Sequence, residues 1–442
     1  MTDQDWQSFI AEAKPRGEGV ARANQFARFA DRTIERCELG SYAGPGAASQ
    51  TPIHRWVFYK ESFAPQLVSD LISSVGPGLG HILDPFAGVG TTLLEAGRNG
   101  LDATGIELLP YASYAASVKI RAHEADPDII ETTLRRVLAS RKPPAQAPDV
   151  PSMNWAFEQD VMARLRRYQS ALDQIEPSIE HDIVRLAFLS VIEEVSQATK
   201  DGTSIRRIPA GRRRGRWGST TSTDQVRELF KERVIKFSND IRFAVAGPSL
   251  RVVQGDARNF PEPVTDRKYD MAVFSPPYPN RYDYSAIYQL ELSFGFIDAN
   301  EQLRTLRKDL LRSHLESLWP PTRTVHNAAL DEFVVSVLDR RRKGDQTSRV
   351  LRMVAGYFED MRTVFENLAT SVRPGCPIAV VVGTQTFSGQ HLPTDLLLAE
   401  IAEDMGMRVA EVWVIREKGV APQQRRQWGD AKTRESVVLL EA

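Results

Sequence analysis

Two short stretches, far apart in the chain, carry residue types that could do chemistry together. Ser275-Pro-Pro-Tyr278 ends an apolar run, Tyr269-Asp-Met-Ala-Val-Phe274. A serine hydroxyl and a proline carbonyl are both hydrogen-bond acceptors. The proline carbonyl is held in place because the ring fixes φ and its nitrogen donates nothing. Tyr278 adds a flat aromatic face. Such a set suits an amine conjugated with a ring: acceptors draw its hydrogens aside and aim its lone pair, while the aromatic face carries the ring. The second stretch, Asp84-Pro-Phe-Ala-Gly-Val-Gly90, follows the apolar His81-Ile-Leu83. Gly88 and Gly90 let the backbone bend sharply, so that its amides and the next helix N-terminus face a ligand.

Two carboxylates extend this set. Glu107 closes the stretch Thr104-Gly-Ile-Glu107, at the offset from the glycine turn at which a carboxylate clamps ribose hydroxyls. Asp256 follows Arg251-Val-Val-Gln-Gly255 and either faces a ligand or caps its own turn. A dinucleotide fingerprint would need a third glycine where Leu93 stands, which turns the expected ligand away from NAD.

The elements that must hold these residues are legible in the periodicity. His81–Asp84, a glycine turn, a helix over Thr92–Asn99 and a strand over Asp102–Ile106 form one βαβ unit of a parallel sheet. A helix follows around Tyr111–His123. From about 125 to 249 the alternation stops. A proline-rich link, Pro143-Pro144 to Pro151, leads to helices over Val161–Ile175 and His181–Thr199, the latter with Ile183, Leu186, Leu189, Ile192 and Val195 on one stripe. Strands are expected again at Leu250–Gln254, Tyr269–Phe274, Ile378–Val382, Arg408–Ile415 and Ser436–Leu440, with helices over Val354–Val372 and Thr394–Met405. Residues 1–40 read as helix, and Pro65–Ser74 as another. The fold class is therefore α/β, with seven strands and a mainly helical insertion. Its parts are an N-terminal helical segment (1–50), two half-cores (51–124 and 250–442) and the insertion (125–249).

The stretch Asp84 to Glu95 resembles motif I of the S-adenosylmethionine-dependent amino-methyltransferases that act on nucleic acids. Ser275-Pro-Pro-Tyr278 resembles their motif IV, Gly255-Asp256 their motif III, and His54-Arg-Trp-Val-Phe-Tyr-Lys-Glu-Ser-Phe63 their motif X. The resemblance covers about residues 50–125 and 250–442, and implies the class I, Rossmann-like methyltransferase sheet. It assigns Phe63, Asp84, Phe86, Gly88, Gly90, Thr91, Glu107 and Asp256 to S-adenosylmethionine, and catalysis to Ser275, Pro276, Pro277 and Tyr278. A serine at the head of motif IV accompanies methylation of cytosine N4, so the family implied is the cytosine-N4 DNA methyltransferases, acting on a flipped-out base. Adenine N6 in DNA and guanine N2 in transfer RNA stay open. The family places target recognition in an insertion of this kind, here 125–249, although motif III standing after the insertion departs from its order. A cognate restriction endonuclease is the partner that the resemblance implies.

Composition narrows the alternatives. A net charge of −1 over 442 residues leaves no global basic field, so attraction to nucleic acid must be local. The strongest local cluster is Arg206, Arg207, Arg212, Arg213, Arg214 and Arg216, followed by Trp217, with charges able to neutralise phosphates and a ring able to stack. The two cysteines, Cys37 and Cys376, make neither a disulfide framework nor a metal cluster. Neither stands where a cytosine-C5 methylase needs its nucleophile. The seven histidines lack metal-ligand spacing, so no metal is expected. The N-terminus has no apolar h-region and no stretch is long enough to span a bilayer, so the expected location is the cytoplasm.

Overall fold

The structure, a computed structural model, describes residues 19–42, 44, 46, 48–60, 62–75, 78, 80–201, 204–209, 221–317, 325–340, 346–419, 425 and 432–442. Its centre is one sheet of eight strands: β1 (Thr33–Glu35), β2 (His81–Asp84), β3 (Asp102–Glu107), β6 (Leu250–Gln254), β7 (Met271–Phe274), β8 (Pro377–Gly383), β11 (Arg408–Gly419) and β12 (Lys432–Glu441). Two small hairpins supply the remaining four: β4 (Ala198–Asp201) with β5 (Ser204–Arg207), and β9 (Gln385–Phe387) with β10 (Gln390–Leu392).

The order across the sheet is β1-β11-β12-β8-β7-β2-β3-β6. β12 runs antiparallel to both neighbours, and every other pairing is parallel. This is the class I methyltransferase sheet with one extra edge strand. The order reverses between β2 and β7, whose carboxyl ends carry Asp84 and Phe274. A crevice opens outside the carboxyl ends of the strands at such a reversal, so topology alone brings the glycine turn and Ser275 to one place.

Two central strands are apolar runs, as burial on both faces requires: Met271–Phe274 and Ile378–Val382 are all buried. One face packs the helices Pro65–Val75, Thr91–Arg98 and Pro110–Ile120. The other packs Thr347–Ser371, Ala328–Leu338 and Thr394–Asp404. The insertion contributes Pro127–Leu138, Gln159–Leu172, Ile179–Val195 and Thr223–Asp240. Ile183, Leu186, Leu189, Ile192 and Val195 are buried as one stripe, in the same apolar cluster as the sheet's first face. The insertion helices thus share the core of the sheet. Ser178 and Ser222 cap two of them, the latter through a reciprocal bond with Gln225.

Three expectations need correction. Within residues 1–40 the described helix covers only Val20–Phe29; Phe26 and Ile34 are exposed, and Ile34 lies on β1, paired with Trp413 of β11. The β-branched Thr33-Ile34 pair joins the sheet edge instead of continuing the helix, and residues 1–18 lie outside the described residues. The sheet therefore has eight strands, not seven. The helix expected over His181–Thr199 stops at Val195, and Ala198–Asp201 turns back as a hairpin.

Candidate active site

β2 delivers Asp84 to the sheet's carboxyl edge, where the chain turns through Gly88 (φ +52°) and Gly90 (φ +85°) into the helix Thr91–Arg98. Both angles are left-handed, which glycine alone adopts freely. At Gly90 space adds a second demand, since a Cβ would stand 3.1 Å from the Ala116 Cβ. Lys119, one turn further along that neighbouring helix and 1 % exposed, donates 2.7 Å to the Val89 carbonyl in the middle of the turn. Burial pulls its ammonium down to about 7, with Arg98 adding in the same direction. Behind it His54, also buried, is 2.8 Å from Glu95, and burial lowers its imidazole to about 4.

Glu107, at the end of β3, accepts from the Gly88 amide (2.8 Å) and the Leu109 amide (2.7 Å). Burial pushes its carboxyl up to about 7 against the pull of these bonds. Asp84 accepts from the Phe86 amide at 2.9 Å; burial raises it to about 7, and the nearby Glu107 charge acts in the same direction. Two acids at the ends of adjacent strands are thus both held above the ordinary carboxylate range by burial.

These residues line one cleft. Phe63, Asp84, Phe86, Gly88, Thr91, Glu107 and Asp256 all reach it, as do Ser275 and Pro277. Gly90 does not; it lies behind, against Ala116. Asp256 faces the cleft with its carboxylate engaged. Oδ1 accepts from the Arg258 amide at 2.8 Å, and the Arg258 guanidinium grips both oxygens at 2.7 to 3.0 Å. The turn-capping role and the cleft position therefore coexist.

A second, wider groove opens beside the first, lined by Ser275, Pro276 and Tyr278. Ser275 borders both. The Tyr278 ring lies against Gly383 at the end of β8, where a Cβ would come within 3.0 Å of its Cε2. Burial raises the Tyr278 hydroxyl above its usual range, with the Glu435 charge acting likewise and a hydrogen bond with Ser275 opposing. Glu435, 6 % exposed, is held by Arg416 at 2.5 Å and by Lys418. Lys60, Arg281 and Arg434 add positive charge to the walls. Arg281 sits at φ +73°, its amide tied to the Ser313 carbonyl at 3.0 Å. A non-glycine residue held in this region costs on the order of 1 kcal/mol or more, a strain that clusters at functional sites. Tyr284 lines both cavities, and Tyr59, beside it, stacks on Tyr288 at 4.8 Å and 9°.

The basic cluster is only partly described. Arg206 and Arg207 are exposed on β5, whereas Arg212, Arg213, Arg214, Arg216 and Trp217 lie outside the described residues. The β4–β5 hairpin packs against the helix Tyr284–Ile287. Lys200 anchors it, between Glu193 (3.0 Å) and Glu291 (2.5 Å), 4.2 Å above the Tyr288 ring. No described residue of 125–249 lines either cavity.

No protein-family model matches the chain. Among curated proteins it is 26 % identical over 435 residues to the type II methyltransferase M.BsoBI of Geobacillus stearothermophilus, covering 88 % of this chain and 85 % of the relative. It is likewise 26 % identical over 478 residues to the type II methyltransferase M.AvaI of Nostoc sp., covering 99 % and 95 %. The type II methyltransferase M.MvaI of Kocuria varians is 21 % identical over 383 residues, 79 % of this chain and 80 % of the relative. The chain is similar along most of its length to these type II methyltransferases.

Sequence reasoning missed one wall of each cavity. Leu310, Leu311 and Ser313 close the cleft, and nothing in their types or spacing marks them. Gly383-Thr384-Gln385 and the β11–β12 residues Arg416, Lys418 and Glu435 build the groove. Gly383 did carry a signal: a glycine ending a fully buried strand, at the edge where open α/β sheets bind ligands. Tyr59 and Ser62 stand just before Phe63 and share the cleft with it.

Proposed function

We propose that the chain transfers a methyl group to the exocyclic N4 amine of cytosine in DNA, on a base turned out of the helix into the groove. The methyl donor is S-adenosylmethionine, which supplies a methyl carried on a sulfonium. The observation that carries the reading is the position of Ser275 on the border of both cavities: donor on one side, acceptor on the other, with the acceptor's reactive atom at the seam.

What this chain's residues do follows from their chemistry. Glu107, already accepting two amides at the strand end, has the geometry of a ribose clamp. The turn held by Lys119 presents backbone amides and a helix N-terminus. Phe63 and Phe86 supply apolar walls and exclude water. On the other side, the Ser275 hydroxyl and the Pro276 carbonyl accept the two hydrogens of the amine, turning its lone pair out of the ring. Tyr278 supports the ring, with Tyr282 and Tyr284 along the same groove. With the donor bound, the amine lone pair would take the methyl while the sulfur keeps the bonding pair as a neutral thioether, and one of the hydrogens held by Ser275 and Pro276 would pass to solvent as a proton. Serine at the head of the tetrad favours cytosine over adenine.

Base-sequence reading belongs, on this proposal, to the insertion 125–249, whose β4–β5 hairpin packs beside the helix Tyr284–Ile287. The mark would block cutting by a cognate restriction endonuclease. Incubation with tritiated donor and either plasmid DNA or transfer RNA tests the substrate: label in DNA alone supports the reading, and label in RNA alone overturns it.

A further inference from the structure

The unpredicted wall of the cleft, Leu310 to Ser313, is fastened by a network of buried charges that no reaction step uses. Asp360, 3 % exposed on the helix Thr347–Ser371, is its hub. Its Oδ2 accepts from the Arg312 backbone amide at 2.8 Å and from Arg258 Nη1 at 3.4 Å. Its Oδ1 accepts from Arg312 Nε at 3.0 Å and Nη2 at 2.6 Å. Arg258 in turn grips Asp256 and the Asp309 carbonyl. One carboxylate therefore ties together the strand-end aspartate that faces the cleft and the backbone that covers it. The helix is shaped to receive Arg312: Gly356, one turn before Asp360 on the same face, leaves room for the arginine stem, and a Cβ there would come within 2.8 Å of Arg312 Cδ. On its other flank the same wall is tied to the groove, through the bond from the Arg281 amide to the Ser313 carbonyl.

We infer that Asp360 is a positioning residue for the methyl donor: through Arg312 and Arg258 it sets the cleft wall and the orientation of Asp256, without touching the donor itself. The inference rests on the cleft's being the donor site. A buried carboxylate and two arginines are costly to assemble merely to hold a loop, because each must be stripped of water. Here the pairs are multidentate and directed at backbone as well as side chain, which suits fixing a position.

The test is calorimetric titration of the full chain with S-adenosylhomocysteine, alongside steady-state methyl transfer. Asp360→Asn should weaken binding about tenfold, as small misplacements of positioning groups do, and raise KM for the donor by the same factor. kcat should stay within about twofold. Gly356→Ala, which displaces Arg312 by a different route, should give the same split. Glu359→Gln removes the other carboxylate paired with Arg312 (3.0 Å) but leaves the backbone and Arg258 ties intact, and should bind as the parent does. Unchanged affinity in folded Asp360→Asn and Gly356→Ala, or an equal loss in Glu359→Gln, would overturn the inference. Should the parent itself fail to bind S-adenosylhomocysteine, it is the assignment of the cleft that falls.

Discussion

The two cavities that meet at Ser275 are built in opposite ways. The proposed donor cleft takes the floor of its lining from one βαβ unit, and its remaining walls from Tyr59 to Phe63, Gly255 to Ala257, Ser275 to Tyr284 and Leu310 to Ser313. Asp84, Phe86, Gly88, Thr91 and Glu107 come from a single short span, and their roles rest on backbone geometry: left-handed glycines, an amide given to Glu107, a carbonyl held by Lys119. The acceptor groove draws on five separated stretches: the 41–62 region, Ser275 to Tyr284, the end of β8, and the facing ends of β11 and β12. Its character is side-chain charge and aromatic surface. The glycine turn within the cleft tolerates little variation in type, because each of its residues answers to the same bend. A site made from many strand ends can change residue by residue without disturbing the fold. The cleft is thus the part suited to an invariant ligand, and the groove the part suited to a partner that differs from one enzyme to another.

The sharpest way to break this division is at its border. Ser275→Ala and Tyr278→Ala should each lower methyl transfer by roughly 100-fold or more, on the order of 3 kcal/mol of transition-state stabilisation. Affinity for S-adenosylhomocysteine should stay within about twofold. Calorimetry and single-turnover assays on the same preparations separate the two quantities, and a parallel loss of donor affinity would erase the border.

A smaller effect should appear in the pH dependence of the donor side. Glu107 is held up at about 7 by burial, and ribose hydroxyls need its ionised form as acceptor. The dissociation constant should therefore rise as pH falls below about 7, approaching tenfold per unit, and level off above it. For the protein alone the sign is the reverse. A carboxyl raised from 4.5 to about 7 favours folding below 4.5, and that contribution is lost as pH rises through 7. Glu107→Gln should remove the binding slope and lessen the melting slope, leaving the part that Asp84, also raised to about 7 by burial, carries. Titrations between pH 5.5 and 8.5, with melting curves over the same range, read them; a binding slope that survives the substitution would shift the effect to Asp84.

The smallest effects belong to the groove walls. Lys60 and Arg281 are exposed and line it, so charge reversal at either should weaken DNA binding while leaving donor affinity alone. If each neutralises one phosphate, the slope of log K against log salt should lessen by about 0.9 per residue. Fluorescence anisotropy at several salt concentrations measures this, and an unchanged slope would move the DNA path elsewhere.

This contrast also explains what was legible in the sequence. The strands β2, β3, β6, β7, β8, β11 and β12 could be read because they are apolar runs cut by glycine, proline and charge. The cleft could be read because its geometry demands particular residue types at fixed spacing. Leu310 to Ser313 could not: a pair of leucines, an arginine and a serine gain meaning only when Asp360, far along the chain, seats Arg312. Nor could Glu435, whose place beside Tyr278 depends on β12 inserting antiparallel between β8 and β11. The edge strand β1 was hidden because three residues are too few to show a period of two.

The central claim is that the groove side of Ser275 presents the N4 amine of cytosine to a donor held in the cleft. The most direct measurement is to methylate plasmid DNA with labelled S-adenosylmethionine, digest it to nucleosides and identify the labelled base. The account predicts N4-methylcytosine; label in N6-methyladenine would contradict it.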